Sequence, residues 1–203
     1  MTFNGSLYHP NLRSEEYLPQ VVAYYYKQWD GFDMPFHRHL AVEIMYTISG
    51  TCVVETENSC HEMKKGEFIL LDSNVPHRLV VTEGNPCRML NLEFVFQKSE
   101  PDKGFPSMRT LINGSPELQR FLSQQAPYCV YKDPSEIYQI MRSLITELDD
   151  TTRESEWAVQ LLLAQLIIRL AKLLGKVETA PKQQQAAYVQ EALEYMHQHY
   201  DYE

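Results

Sequence analysis

Gly31-Phe32-Asp33-Met34-Pro35-Phe36-His37-Arg38-His39-Leu40-Ala41-Val42-Glu43, continuing through Ile44-Met45-Tyr46-Thr47-Ile48-Ser49 to Gly50, is the stretch on which the fold turns. Its second half is mostly apolar and ends at a glycine, as a strand entering a hairpin does. His37, His39 and Glu43 carry odd numbers, so on a continuous strand they face one way. Two imidazoles then converge on one point, and the carboxylate joins from nearby. Further on, Val75-Pro76-His77 sets a third histidine after a strand and a turn. Three imidazoles and one carboxylate suit a divalent transition metal such as Zn, Ni, Mn or Fe. The same histidines also read as hydrogen-bonded polar residues lining a barrel mouth. The residues alone leave both readings open.

Outward from this stretch the first half of the chain reads as strands. Val21–Trp29, Val42–Ser49, Thr51–Thr56, Glu67–Leu71, Arg78–Thr82 and Met89–Phe96 are rich in β-branched and aromatic residues. Gly, Pro, Asn and Asp separate them, and many short strands at close spacing predict an all-β sandwich or barrel. Near Asp133 the period changes. Asp133-Pro134-Ser135-Glu136 offers an N-cap, a proline at the first helical position and a glutamate three residues after the cap. Ile137, Ile140, Met141, Leu144, Ile145 and Leu148 then form one apolar face. Thr151-Thr152-Arg153-Glu154 repeats the capping pattern and opens a second helix that runs to about Gly175. The short turn between the two predicts an antiparallel pair.

The 203 residues carry a net charge of −9, which argues against this chain gripping nucleic acid by itself. Cys52, Cys60, Cys87 and Cys129 form no C-x-x-C pair and no zinc-ribbon spacing, so they read as free thiols of a reducing cytosol. Residues 1–12 lack the basic-then-apolar order of a signal peptide. The most apolar stretch, Trp157 to Leu174, is interrupted by Gln160, Gln165, Arg169 and Lys172. It therefore reads as amphipathic, and a cytoplasmic protein without a membrane segment is expected.

The spacing of Gly31, His37, His39, Glu43 and Gly50 resembles the first motif of the cupin family, without gap or insertion. Gly66 through His77 resembles the second motif, although Asp72, Asn74 and Val81 stand where that family usually has proline, glycine and asparagine. This resemblance implies a double-stranded β-helix barrel, and it implies His37, His39, Glu43 and His77 as metal ligands. From about residue 20 to 203 the chain resembles AraC/XylS-type transcription regulators, which place a cupin sensor first. Pro35 through His39, Glu43 through Gly50 and Gly66 through His77 carry that likeness, and Tyr188 through Tyr200 resembles the opening helix of their DNA-binding domain. The expected organisation is a barrel over 1–105, a helical dimerisation region over 106–176 and a linker over 177–186. Residues 187–203 would then open a helix-turn-helix domain that is cut short at Glu203.

The expected fold is a cupin barrel followed by an α-helical hairpin, α+β overall. The expected function is effector binding and dimerisation in a transcription regulator rather than catalysis, with DNA as partner through a domain beyond this chain. Tyr24, Tyr25, Tyr26 and Trp29 offer aromatic faces to a small-molecule effector, and Tyr24, Tyr26 and Trp29 are the candidates for its pocket. Val159, Leu163, Leu166, Leu170 and Leu173 recur in steps of four and three and are the candidates for a homodimer face, or else for the chain's own core. Two rivals share the barrel: a metal-dependent cupin dioxygenase or isomerase, and a non-catalytic sugar-binding module.

Overall fold

The computed structural model describes residues 5–100, 104–150 and 152–175. In chain order the elements are α1 (Asn11–Ser14), β1 (Tyr17–Trp29), β2 (Phe32–Asp33), β3 (Val42–Ser49), β4 (Thr51–Thr56), β5 (Ser59–Lys64), β6 (Glu67–Leu71), β7 (His77–Val81) and β8 (Cys87–Lys98). They continue with α2 (Met108–Gly114), α3 (Pro116–Ser123), β9 (Tyr128–Lys132), α4 (Glu136–Leu148) and α5 (Arg153–Leu174). The strands form two antiparallel sheets, in the order β1-β8-β3-β6-β9 and β2-β7-β4-β5. Gly50 joins β3 to β4 at φ 77, and a Cβ there would lie 2.1 Å from the Pro86 carbonyl oxygen. Both the backbone angle and the space require glycine.

Two cores follow from the two sheets. Between them lie Met45, Cys52, Val54, Met63, Ile69, Leu71, Leu79, Val81, Cys87 and Met89. The outer face of the five-stranded sheet packs against the helices through residues such as Ile44, Tyr46, Phe68, Leu90, Phe94, Phe121, Met141 and Leu166. β3 therefore has both faces covered and is buried from Val42 to Tyr46 and on to Thr47. That is why its sequence reads as a continuous apolar run instead of an alternation. The fold is the expected one, a mostly β cupin-type barrel with helices C-terminal to it.

Several elements depart from the sequence expectations. The segment over 106–176 is not wholly helical. β9 leaves it and pairs with β6 from Leu71↔Tyr128 to Glu67↔Lys132, closing the sheet's far side. Tyr-Cys-Val-Tyr between Pro127 and Asp133 is strand-prone, but its surroundings masked it. β5 escaped notice because only Met63 of its six residues is fully buried. α2 and α3 are also additional, each capped by a serine: Ser107 accepts from Thr110 N, and Ser115 from Leu118 N.

The caps of the helix pair shift by a residue or two. Asp133 accepts from Ile137 N at 3.1 Å and Tyr138 N at 2.9 Å, yet α4 starts only at Glu136. Pro134 therefore stands ahead of the helix and not at its first position. α5 is capped by Thr152, which accepts from Ser155 N, and not from Thr151 onward.

The stripe expected at a partner subunit turns inward. Leu163, Leu166 and Leu170 are buried in the chain's own core, and Val159 and Leu173 pack half-buried against it. A five-residue stripe at steps of four and three serves the chain's own core as well as a second subunit, and here the core, chiefly α4 and α3, takes it. α5 exposes Trp157 and Leu161 instead. By length and composition Glu154–Leu174 could cross a membrane, but Leu163, Leu166, Ile167 and Leu170 are buried in the chain's own core. The linker expected over 177–186 and the helix over 187–203 lie outside the described residues.

Candidate metal and effector site

Alternation along β3 aims Glu43 into the barrel beside Met45, while Ile44 and Tyr46 face the helices. The strand carrying the first two histidines is not continuous with it. His37 forms an isolated bridge with His77, each donating its backbone N–H to the other's carbonyl, at 3.1 and 3.0 Å. The His39 carbonyl accepts from Asn74 N at 2.7 Å, and Asn74 sits at φ 61 in the turn before β7. His37 and His39 thus lie on a separate piece from Glu43 and not on one continuous strand, but the residues converge all the same. Ring centroids are 4.4 Å apart for His37 and His77, 5.2 Å for His39 and His77, and 5.7 Å for His37 and His39.

The hydrogen bonds fix the tautomers. Each Nδ1 faces a backbone carbonyl: His37 that of Pro35 at 3.3 Å, His39 that of Ala41 at 3.1 Å and His77 that of Val75 at 2.8 Å. A carbonyl only accepts, so Nδ1 carries the proton and donates, leaving the Nε2 lone pairs toward the barrel interior. Two of those Nε2 atoms approach Glu43 Oε2, His39 at 3.2 Å and His77 at 3.0 Å. A lone pair facing a carboxylate oxygen at that distance calls for a cation between them, either a second proton on the ring or a metal ion. His77 Nε2 is buried and makes no hydrogen bond of acceptable direction despite its 3.0 Å approach. The donor atoms of His37, His39 and His77 lie within 4.8 Å of one another, and so do those of His39, Glu43 and Glu93. This donor set fits a divalent transition metal, with His37, His39, His77 and Glu43 as the residues that would hold it.

The electrostatics separate two carboxylates. Burial pushes the Glu43 carboxyl up, but the His39 bond and the close approach of the His39 and His77 rings outweigh it and hold it at about 2. Asn91 Nδ2 donates to Glu43 Oε1 at 3.2 Å. The bond to Glu43 raises His39 above its ordinary 6.5, against the opposing effect of burial. Glu93 stands opposite Glu43 across the sheet; burial and then the Glu43 charge raise it. Asn91 and Glu93 are functional candidates that the sequence reading missed. Their signal is present, since Asn91 and Glu93 are the two polar residues of the otherwise apolar run Met89–Phe96, two apart and facing inward.

These groups open onto a cavity of about 430 Å³ whose wall also includes Tyr25, Lys27, Trp29, Met34, Met45 and Leu79. A larger groove of about 620 Å³ lies between β1 and the α4–α5 turn, but it contains none of the converging histidines. Of the three aromatic candidates only Trp29 lines the cavity. Tyr24 faces the helices and donates to Asp149 Oδ1 at 2.7 Å, and Tyr26 packs under Arg88 on the same outer side. The period of two along β1 puts Tyr25 and Lys27 with Trp29 and takes Tyr24 and Tyr26 away.

Solved structures with related folds include a cupin-2 domain protein from Shewanella frigidimarina, 20% identical over 37% of this chain and 78% of that one, with a TM-score of 0.32. The apo form of a ToxT variant from Vibrio cholerae is 10% identical over 77% of this chain and 56% of that one, with a TM-score of 0.48. A serine-to-alanine mutant of oxalate decarboxylase from Bacillus subtilis is 17% identical over 43% of this chain and 28% of that one, with a TM-score of 0.33. No curated protein matches the sequence. The sequence model of the AraC-like ligand binding domain matches residues 18–171, a span that takes in the barrel, the inserted strand β9 and nearly all of the helix pair. The chain belongs to the AraC-like ligand-binding domain family.

Proposed function

We propose that this chain is the effector-binding part of a DNA-binding transcription regulator, and that the effector occupies the barrel cavity beside a metal held by His37, His39, Glu43 and His77. The observation that carries the reading is the cavity itself. It has an apolar wall of Trp29, Met34 and Leu79 and a small set of convergent polar groups, the composition of a small-molecule site. The mechanism is a population shift: an effector that binds one arrangement of barrel and helices better than another favours it, and DNA-binding units beyond the chain are re-spaced. The protein works in the cytoplasm as a homodimer. With the inner stripe of α5 occupied, the exposed side bearing Trp157 and Leu161 is where a second subunit would sit.

The test is a thermal-shift screen of small metabolites on metal-loaded and metal-free protein, repeated on Met34→Trp, which fills the cavity. Ligands that stabilise the wild type and not Met34→Trp support the reading. Ligands that stabilise both alike sink it.

A specific observation favours one rival. Glu93, a carboxylate raised by burial and by Glu43, sits beside a low carboxylate, and such a divided pair suits acid–base work next to a metal. If incubation with a ligand yields a changed product by mass spectrometry, and Glu93→Gln stops the change, the protein is an enzyme of the cupin type.

A further inference from the structure

The cavity is electrostatically two-ended. At one end stand His37, His39, His77, Glu43 and Glu93. At the other end Lys27 is the one lysine or arginine in the wall. β1 and β8 set the separation: Glu93 pairs opposite Ala23, while Lys27 pairs opposite Met89. Four residues of strand span about 13 Å. Lys27 Nζ lies 3.9 Å from the centre of the Trp29 ring, held over its face, and Phe32 stacks with that ring at 4.1 Å. Among the described residues no carboxylate forms an ion pair with Lys27. The ammonium is therefore positioned by a ring, directed away from Glu93, and left without a counter-ion at the cavity's edge.

The middle of the wall is apolar, with Met34, Met45 and Leu79. A molecule lying along this wall meets the histidines with Glu43 and Glu93 at one end and a lone positive charge at the other. With a divalent metal held by the histidines, Glu43 and Glu93 balance its charge, so Lys27 is the uncompensated cation of the cavity, while at the histidine end a neutral oxygen is acceptable both to a metal and to Asn91. The geometry points to a small monocarboxylic acid as the effector, with its carboxylate at Lys27 and a hydroxyl or carbonyl oxygen at the histidine cluster. This rests on the reading of the cavity as the effector site and adds to it the chemical class and the orientation of the ligand.

Three probes of one length separate the possibilities: 6-hydroxyhexanoate, its neutral amide 6-hydroxyhexanamide, and the cation 6-aminohexanol. Each is titrated calorimetrically into the zinc-loaded 203-residue chain and into Lys27→Met, which keeps the aliphatic stem and removes the charge. Zinc affinity of the variant is measured alongside and should be unchanged, because Lys27 belongs to no candidate ligand set. The expected result is that the acid binds about five- to tenfold tighter than the amide, that the amine binds weakest, and that Lys27→Met removes the acid's advantage. An acid preference that survives Lys27→Met overturns the inference. Equal binding of acid and amide overturns it while leaving the cavity an effector site. Failure of all three probes to bind overturns both.

Discussion

Replacing Glu43 by Gln in metal-free protein tests whether the site is charged as its geometry demands. The native carboxyl is held at about 2 instead of an ordinary 4.5, a difference that linkage converts to about 3 kcal/mol of stability at neutral pH. For a group whose folded value is depressed, that stability is present above about pH 4.5 and is lost as pH falls through about 2. His39 has the opposite sign. Its folded value is raised, so its share is full below about pH 6.5 and is lost as pH climbs through the folded value. The difference in melting temperature between wild type and Glu43→Gln should therefore peak between about pH 5 and 6.5 and shrink on either side. At its peak about 3 kcal/mol corresponds to about 6–12 °C in a chain of this size. The assay is a pair of thermal melts by circular dichroism at half-unit pH steps after chelation. Other carboxylates titrate in both proteins and cancel in the difference. A gap that stays flat with pH, or widens toward acid, would refute the idea that Glu43 is an anion stabilised by its imidazole neighbours.

The remaining predictions concern metal, packing and caps. Zinc at about a hundredfold over its dissociation constant should add about 2.7 kcal/mol to the wild type, and His77→Ala should abolish most of that gain in the same melt; an undiminished gain would show the metal bound elsewhere. Leu166→Ala, at a fully buried position, should cost about 2–5 kcal/mol independently of protein concentration, whereas Leu161→Ala, at an exposed one, should change the monomer by no more than about 0.5 kcal/mol. A Leu166→Ala cost that grows on dilution would return that leucine to a subunit interface. Asp133→Ala should lose about 1 kcal/mol by denaturant melt, because two amides of α4 lose their acceptor, and an unchanged midpoint would contradict its role as the cap.

The barrel was legible because its strands are short, β-rich and punctuated, and because one stretch held both the histidine pair and the closing glycine. The convergence of His37, His39, Glu43 and His77 was legible for a partly mistaken reason: the bridge between His37 and His77 does what a continuous strand was expected to do. A tyrosine run hides the period of two, so the sequence does not show that Tyr25 lines the cavity and Tyr24 and Tyr26 do not. Only the pairing with β8 fixes which alternates face inward. β9 was illegible because five residues between helices give no period to read, and its partner β6 lies about 60 residues earlier in the chain. The α5 stripe is plain in the sequence, but spacing alone cannot say whether the chain's own helices or a second chain cover it.

β3 is the element through which a ligand in the cavity would be felt outside it. Glu43 faces the histidines and Ile44 faces the helices. Three residues past Glu43, Tyr46 sets its ring 5.4 Å from that of Tyr138 in the first turn of α4. A close-packed strand with both faces buried cannot shift on one face alone. Closing Glu43 onto a metal and ligand therefore loads the contact with α4, and α4 packs along α5. Asp133 reinforces the link, since it caps α4 while its backbone N–H donates to the Gly66 carbonyl at 2.8 Å, just ahead of β6. The cavity and the helix pair thus share a strand and a cap.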